Sequence, residues 1–307
     1  MDLYAEPAGV TIEEAERYLA ALGGSAANIA VAITKGEAGA SLLTCISDDA
    51  VGRFVRTQLK RYGVRDEFVF VESGEPRNSL AVVETRVDNC QAVIYRNNAA
   101  DFQLSLHHVA GVDLAPFGAV VVTGTSLALE PSRSAAIALL QRAHSVKLPI
   151  IFDIDYRRYS WSSLQEASTI CGQIAGMSQI IVGNEDEFDV VAGATNHGLE
   201  EAKKLATAGA IAIYKMGGKG SMTFTSQSSF ETPVFKVHAL KPTGAGDAFL
   251  GTVCASLAKG NSLEVSIQRG SAAAAIVVTK VGCALASPSN AEIDAFIQRN
   301  TTDNRVV

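Results

Sequence analysis

The sequence predicts an α/β protein with a doubly wound, mostly parallel sheet as its core and a small β-sheet lid. From about residue 118 onward, short apolar β-branched runs alternate with helical stretches, the pattern of parallel strands covered on both faces. Before about residue 100 the pattern changes to two strand-like runs joined by a tight turn. With 307 residues, 48% hydrophobic and 19% charged, the chain can bury a core of that size.

The core strands are expected at 119–122, 149–153, 179–182 and 211–215, each a short apolar run bounded by turn residues or by a helical pattern. Helical patterns fall between them at 132–144 and 200–208. A further helix is expected at 262–279, where the small residues 271–275 point to close helix packing. Ser289-Asn290-Ala291-Glu292 has capping-box spacing ahead of an apolar face, so a last helix begins there. In the N-terminal region, runs 78–86 and 91–96 flank Val87-Asp88-Asn89-Cys90 and read as a hairpin. Neither an internal repeat nor a low-complexity linker interrupts the chain, so the expectation is a single domain over 1–307, with lid strands drawn from about 2–22 and 78–97.

The 26 basic and 32 acidic residues give a net charge of −6 without long runs, which excludes an electrostatic footprint for nucleic acid or an anionic membrane and favours a small-molecule partner. Cys45, Cys90, Cys171, Cys254 and Cys283 are far apart and lack metal-site or disulfide spacing, as in a reducing cytoplasm. There is no run of about 18 to 20 apolar residues and no signal sequence, so a cytoplasmic protein is expected. An exposed lid sheet would suit a homodimer.

The most informative segment is Lys241-Pro242-Thr243-Gly244-Ala245-Gly246-Asp247, a turn followed by an apolar helical run. If Gly244 to Gly246 form the first helical turn, their free N–H groups and the helix dipole define a spot where an anion is stabilised. Small residues let the backbone approach a phosphoryl group closely. Asp247, at the same helix start, is placed to accept a proton from an attacking hydroxyl. A plain helix N-terminus with an acidic first turn would use the same residues.

Thr243-Gly244-Ala245-Gly246-Asp247 resembles the C-terminal signature of the ribokinase-like (PfkB-type) carbohydrate kinases, and Leu22-Gly23-Gly24-Ser25-Ala26-Ala27-Asn28 resembles their N-terminal one. The resemblance covers nearly the whole chain. It implies a ribokinase-like fold, ATP and Mg²⁺ as cofactors, an anion hole at Thr243 to Gly246 and a catalytic base at Asp247. The family commonly has Asp-Thr where this chain has Lys241-Pro242; proline suits a rigid entry to the turn but removes one hydrogen bond and one acid. The monovalent-cation site common in relatives loses that acid here.

Lys215-Met216-Gly217-Gly218-Lys219-Gly220 resembles the family's nucleotide loop, in which glycines admit the nucleotide and a lysine neutralises phosphate; alone it would also serve as a hairpin turn. Asn184 and Glu187 match the family's Asn-x-x-Glu motif, implying a hold on Mg²⁺ through water, and would equally make an acidic helix start. Gly23, Gly24 and Asn28 are implied at the sugar. Asp2 matches an acid that contacts sugar hydroxyls in ribokinase-like enzymes; that acid follows a buried first strand, which is expected to be missing because the chain begins one residue before it.

Arg96 follows the lid hairpin, and Asp153, Asp155 and Arg157 lie at the end of a core strand, where the ligand sites of parallel sheets fall. If the chain stays extended, the last three share one face. The arginines could grip a carboxylate, and a surface ion-pair cluster would look the same. With Asp2-Leu3-Tyr4 and Ser47 to Phe54, these segments resemble the branch of the family that phosphorylates the 6-hydroxyl of 5-dehydro-2-deoxy-D-gluconate in myo-inositol breakdown. Open alternatives are a 2-dehydro-3-deoxygluconate kinase or another sugar kinase of the family, and a non-catalytic sugar- or nucleotide-binding paralogue. His107 and His108, in a polar loop, and His144, His197 and His238 have no ligand-spaced partner; Trp161 reads as packing.

Overall fold

The computed structural model describes residues 1–303 and forms two compact units, one made of residues 1–100 with the segment from Val234 onward, the other of Asp101–Pro233.

In the first unit the chain runs through β1 (Asp2–Glu6), β2 (Arg17–Ala21), α1 (Ser25–Lys35), β3 (Thr44–Ser47), α2 (Ala50–Arg61), β4 (Val69–Glu72), β5 (Leu80–Val83) and β6 (Ala92–Tyr95). The second unit holds α3 (Leu106–Ala110), β7 (Val120–Thr123), α4 (Ser132–Ser145), β8 (Ile150–Asp153), α5 (Leu164–Ala175), β9 (Ile180–Asn184), α6 (Glu185–Ala192), α7 (Gly198–Thr207), β10 (Ile211–Lys215), β11 (Ser221–Phe224) and β12 (Ser229–Thr232). The chain then returns to the first unit with α8 (Ala245–Ala258), α9 (Leu263–Val278) and α10 (Asn290–Asp303).

The first unit contains a four-stranded sheet in the order β2-β1-β5-β6 and a separate parallel pair, β3 and β4. The β5–β6 hairpin is shorter than its sequence predicts. Pairing by strand ends at Val83 because Glu84, almost fully buried, turns its carboxylate back to accept from the amides of Ile12 (3.1 Å) and Gln91 (3.0 Å) and from Arg86 Nε (2.6 Å). That carboxylate terminates the strand and ties the turn to the connection after β1.

Helices α1 and α8 meet through a row of small residues at four-residue steps. A Cβ on Gly251 would lie 2.4 Å from Ala32 Cβ and 2.6 Å from the Ile29 carbonyl; one turn further along both helices, a Cβ on Gly36 would lie 2.4 Å from Ala255 Cβ. Only the missing side chains allow this approach. Gly270 of α9, just before the small-residue run 271–275, similarly fits against Val253 and Phe249 of α8: a Cβ there would lie 2.8 Å from Val253 and 3.0 Å from Phe249.

The second unit is a six-stranded sheet in the order β12-β11-β10-β9-β8-β7. Strands β7 to β10 are mutually parallel, with helices as crossovers, and β11 and β12 add antiparallel to the far edge. All four residues of β8 are buried, as befits a strand covered on both faces. Register aligns Thr123, Asp153 and Val182 across β7, β8 and β9, and Asn184 with Lys215 across β9 and β10, so the polar residues gather at the carboxyl ends of the parallel strands. His107 and His108 lie in α3 rather than in a loop: Ser105 caps that helix, and His108 Nδ1 accepts from the Ser105 amide at 3.1 Å to complete a capping box.

Candidate active site

The α1–α8 contact places the first cluster. Asn28 lies one helical turn before Ala32 and Asp247 one turn before Gly251, so the crossing that brings Ala32 and Gly251 together also brings these two side chains together. Asn28 Nδ2 donates to Asp247 Oδ2 at 2.8 Å, joining the N-terminal and C-terminal motifs. Asn28 Oδ1 is buried with no hydrogen-bond partner, an arrangement that costs about 1–3 kcal/mol unless a ligand supplies a donor.

Gly244 is the N-cap of α8, in the left-handed conformation (φ 83°), and a Cβ there would lie 2.6 Å from Cys283 Sγ. With no side chain at the cap, the first-turn amides face an approaching anion unobstructed. Thr243 Oγ1 is also buried without a partner. Lys241 is fully buried, and its ammonium donates to the carbonyl of Thr243.

Asp2, in β1, sits against the other motif: its carboxylate occupies the space a side chain on residue 23 would need, 1.8 Å from the ideal Cβ of Gly23. Tyr4 Oη donates to Asp2 Oδ2 at 3.0 Å and lies 3.1 Å from Cys283 Sγ. Burial raises the Asp2 pKa above 3.8 and that of the Tyr4 hydroxyl far above its usual value. Gly24 caps α1 with φ 95°, where a side chain would be strained. Arg96 follows β6 in the four-stranded sheet, partly buried.

The second unit gathers another set. Strand β8 ends at Asp153 and the chain does not remain extended: Ile154 still donates to Val182 O at 2.9 Å, then Asp155 takes φ 34°. The expected shared face of an extended strand is therefore absent; a turn instead brings Asp155 and Arg157 into an ion pair (Oδ1 to Nη2, 2.7 Å). Thr125 Oγ1 donates to the other oxygen of Asp155 at 3.3 Å, and Arg157 Nη1 lies 3.8 Å from Glu187 Oε1. Asp155 and Glu187 are buried while Arg157 remains 45% exposed, so this is a half-open guanidinium on a buried acidic base rather than a surface pair.

Asn184 and Glu187 form the capping box of α6: Asn184 Oδ1 accepts from the Glu187 amide at 2.9 Å, and Glu187 Oε2 from the Asn184 amide at 2.7 Å. One hard oxygen of Glu187 remains on the Arg157 side, a donor set that suits Mg²⁺ through water better than direct ligation. Lys215 to Gly220 is the β10–β11 hairpin turn, with Met216 N donating to Gly220 O at 2.8 Å. Gly220 is required by packing, since a Cβ there would meet Thr232 O at 2.2 Å, whereas Gly217 (φ 54°) has nothing within 4 Å of its Cβ position and offers bare backbone.

Residues 1–290 match the model of the pfkB family carbohydrate kinases. The chain belongs to that family. A carbohydrate kinase fold is also what the likenesses to solved structures describe: a fructokinase from Xylella fastidiosa with bound ATP (TM-score 0.84, 20% identity, covering 98% of this chain and 96% of that one) and a protein described as a ribokinase II from E. coli in complex with ATP and Mg²⁺ (TM-score 0.87, 21% identity, covering 97% and 96%). Among curated pfkB-family relatives, proteins named 5-dehydro-2-deoxygluconokinase from Photobacterium profundum and Bacillus subtilis are 34% and 31% identical, covering 99% and 97% of this chain and 93% of each relative.

For this pfkB-family kinase, sequence reasoning named Tyr4 only within the Asp2-Leu3-Tyr4 resemblance and gave neither it nor Cys283 a place in the site; Cys283 reaches Tyr4 and Gly244 only through folding. The same reasoning noticed Lys241 as a departure without seeing it buried. Burial disfavours the thiolate of two cysteines, pushing the Cys171 thiol up to about 12 and Cys283 to about 11. Trp161 is a packing residue, buried with Arg133 over its ring at 5.5 Å. Among the described residues, no helix is long and apolar enough to cross a membrane.

Proposed function

We propose that this pfkB-family kinase transfers the γ-phosphoryl group of ATP to the 6-hydroxyl of 5-dehydro-2-deoxy-D-gluconate, with Asp247 as general base. The observation that carries the reading is the Asn28–Asp247 bond at the uncapped start of α8, which holds a carboxylate beside bare backbone amides. Asp247 takes the proton of the attacking hydroxyl as the new O–P bond forms and ADP departs with the bridging oxygen. The amides of Gly244, Ala245 and Gly246, with Thr243, stabilise the charge on the phosphoryl oxygens. The substrate follows the names of the relatives that match nearly the whole chain.

In the first unit Asp2, Gly23, Gly24, Asn28 and Arg96 are assigned to the sugar acid. In the second, Asp153, Asp155 and Arg157 are assigned to it as well, and Lys215, Gly217 and Gly220 to the nucleotide. Asn184 and Glu187 would hold Mg²⁺ through water; when bound, that ion neutralises phosphate charge. The reading includes a homodimer through the four-stranded sheet, whose outer strand β6 is exposed at all four residues.

ADP release measured with Mg·ATP across a panel of sugar acids and neutral sugars tests the assignment. Turnover confined to the 5-dehydro acid, falling about 10²- to 10⁴-fold in Asp247→Asn, is the expected result. Turnover on 2-dehydro-3-deoxygluconate instead would move the chain to another sugar-acid kinase. Binding without turnover in a folded sample would make it a non-catalytic paralogue.

A further inference from the structure

Lys241 is a charged side chain with 0% exposure, among the largest fully buried side chains in the chain. A buried ammonium is costly unless fixed acceptors compensate it. Its backbone is held by the end of α9, where Lys241 N donates to Val278 O at 3.2 Å, and its ammonium turns back onto the carbonyl of Thr243, two residues ahead. Burial lowers its pKa, while the neighbouring carboxyl groups of Asp247 and Asp2 act in the opposite direction. The side chain is thus a cation built into the wall of the anion-hole turn.

The bond has a directional consequence. The Thr243 carbonyl and the Gly244 amide belong to one rigid planar peptide, in which C=O and N–H point in opposite directions. An ammonium that fixes and polarises the carbonyl therefore fixes the direction of the Gly244 N–H and strengthens it as a donor. Gly244 cannot supply that restraint itself, because glycine in the left-handed region has the widest backbone freedom. A potassium ion is described in a double-mutant fructokinase from Vibrio cholerae O395 with fructose and ADP (TM-score 0.83, 24% identity, covering 96% of this chain and 94% of that one). The Lys241 ammonium, already bound to the turn's carbonyl, does not leave that carbonyl to a second cation.

We propose that Lys241 is a positioning residue, an internal monovalent cation that holds the Thr243–Gly244 peptide in its anion-binding orientation and makes phosphoryl transfer independent of added potassium. The proposal rests on the kinase reading above, and its test separates the two. Wild type, Lys241→Met and Lys241→Asp are compared in potassium chloride and in tetramethylammonium chloride at equal ionic strength, by steady-state kinetics and by thermal melting. The wild type is expected to show the same kcat and the same Tm in both salts. Lys241→Met should lose about 10²-fold in kcat, the scale of removing an oxyanion donor, with the sugar KM little changed. Lys241→Asp, which restores the acid the family commonly carries, should recover activity and melt higher in potassium alone.

A wild type activated or stabilised by potassium overturns the proposal, as does a Lys241→Met protein with wild-type kcat. A folded Lys241→Asp protein indifferent to potassium in both assays also overturns it. Should the wild type turn over no sugar at all, the kinase reading falls, and the melting comparison of wild type and Lys241→Asp still decides whether Lys241 occupies a cation position.

Discussion

Arg157 joins a buried Asp155 at 2.7 Å yet leaves nearly half of its surface open, an arrangement in which the inner face is fixed and the outer face can receive a carboxylate. A charged hydrogen bond of about 1.5–3 kcal/mol corresponds to roughly 10- to 100-fold. Arg157→Ala should therefore raise KM for the sugar acid by that factor while KM for ATP stays within about twofold; equal increases in both would show that the residue only supports the fold. Asp2 gives a prediction of a different kind. Burial raises its pKa above 3.8 in the folded protein, so the folded state binds this proton more tightly than the unfolded one. The resulting stabilisation is complete below pH 3.8 and is lost as pH rises through the folded value, leaving the ionised group a net cost at neutral pH. Asp2→Asn, which keeps an acceptor for Tyr4, should melt higher than wild type at pH 7, with the difference shrinking towards pH 4; parallel pH–stability curves would show that Asp2 does not titrate this way. Cys283 was not legible at this site, because it reaches Tyr4 and Gly244 across a long sequence separation and carries no spacing signal; Tyr4 lies two residues from Asp2 on the same strand face, but that short run does not name its hydroxyl's partners. Asp247 was legible from its helix start, and Asn28 through the resemblance of the N-terminal motif.

At the level of elements, the parts that read clearly were those set by local rules. The parallel strands show as apolar runs, the α10 start as a capping box, and the close packing of α9 as a run of small residues. The parts that did not read were set by single side chains acting at a distance. Glu84 ends β5 by accepting from Ile12, and the left-handed Asp155 ends the extended run after β8; neither contact leaves a periodicity. The α1–α8 crossing carries a test of how elements position chemistry. Gly251→Val introduces a side chain whose Cβ would lie 2.4 Å from Ala32 Cβ, and backbone at the Ile29 carbonyl cannot yield. The helices must separate, at a cost of about 1–3 kcal/mol for overpacking, and the separation is felt one turn away at the Asn28–Asp247 bond. The expected result is a lower Tm and a kcat reduced at least tenfold at temperatures where the variant remains folded by circular dichroism. A folded variant with wild-type kcat would mean that the crossing does not set the position of Asp247.

For the whole molecule, what matters is which surface the fold leaves unfinished. The four-stranded sheet ends in β6, where Val93, Ile94 and Tyr95 are 42%, 39% and 59% exposed. Successive residues of a strand point to opposite faces, so Val93 and Ile94 present apolar surface on both sides of the same edge. An open edge of unpaired backbone groups flanked by apolar side chains invites pairing, and protein surfaces usually blunt such edges with charge, proline or a bulge. Residues 92–95 carry none of these. The proposed homodimer would put a second copy there, which would supply a matching strand edge and matching apolar faces by symmetry. Sedimentation equilibrium should accordingly show a dimer, and the double substitution Val93→Lys with Ile94→Lys, which places a charge on each face without touching Asp247 or Lys241, should convert it to a folded monomer. A wild type that sediments as a monomer at high concentration, or a double variant that remains dimeric, would put the association surface elsewhere.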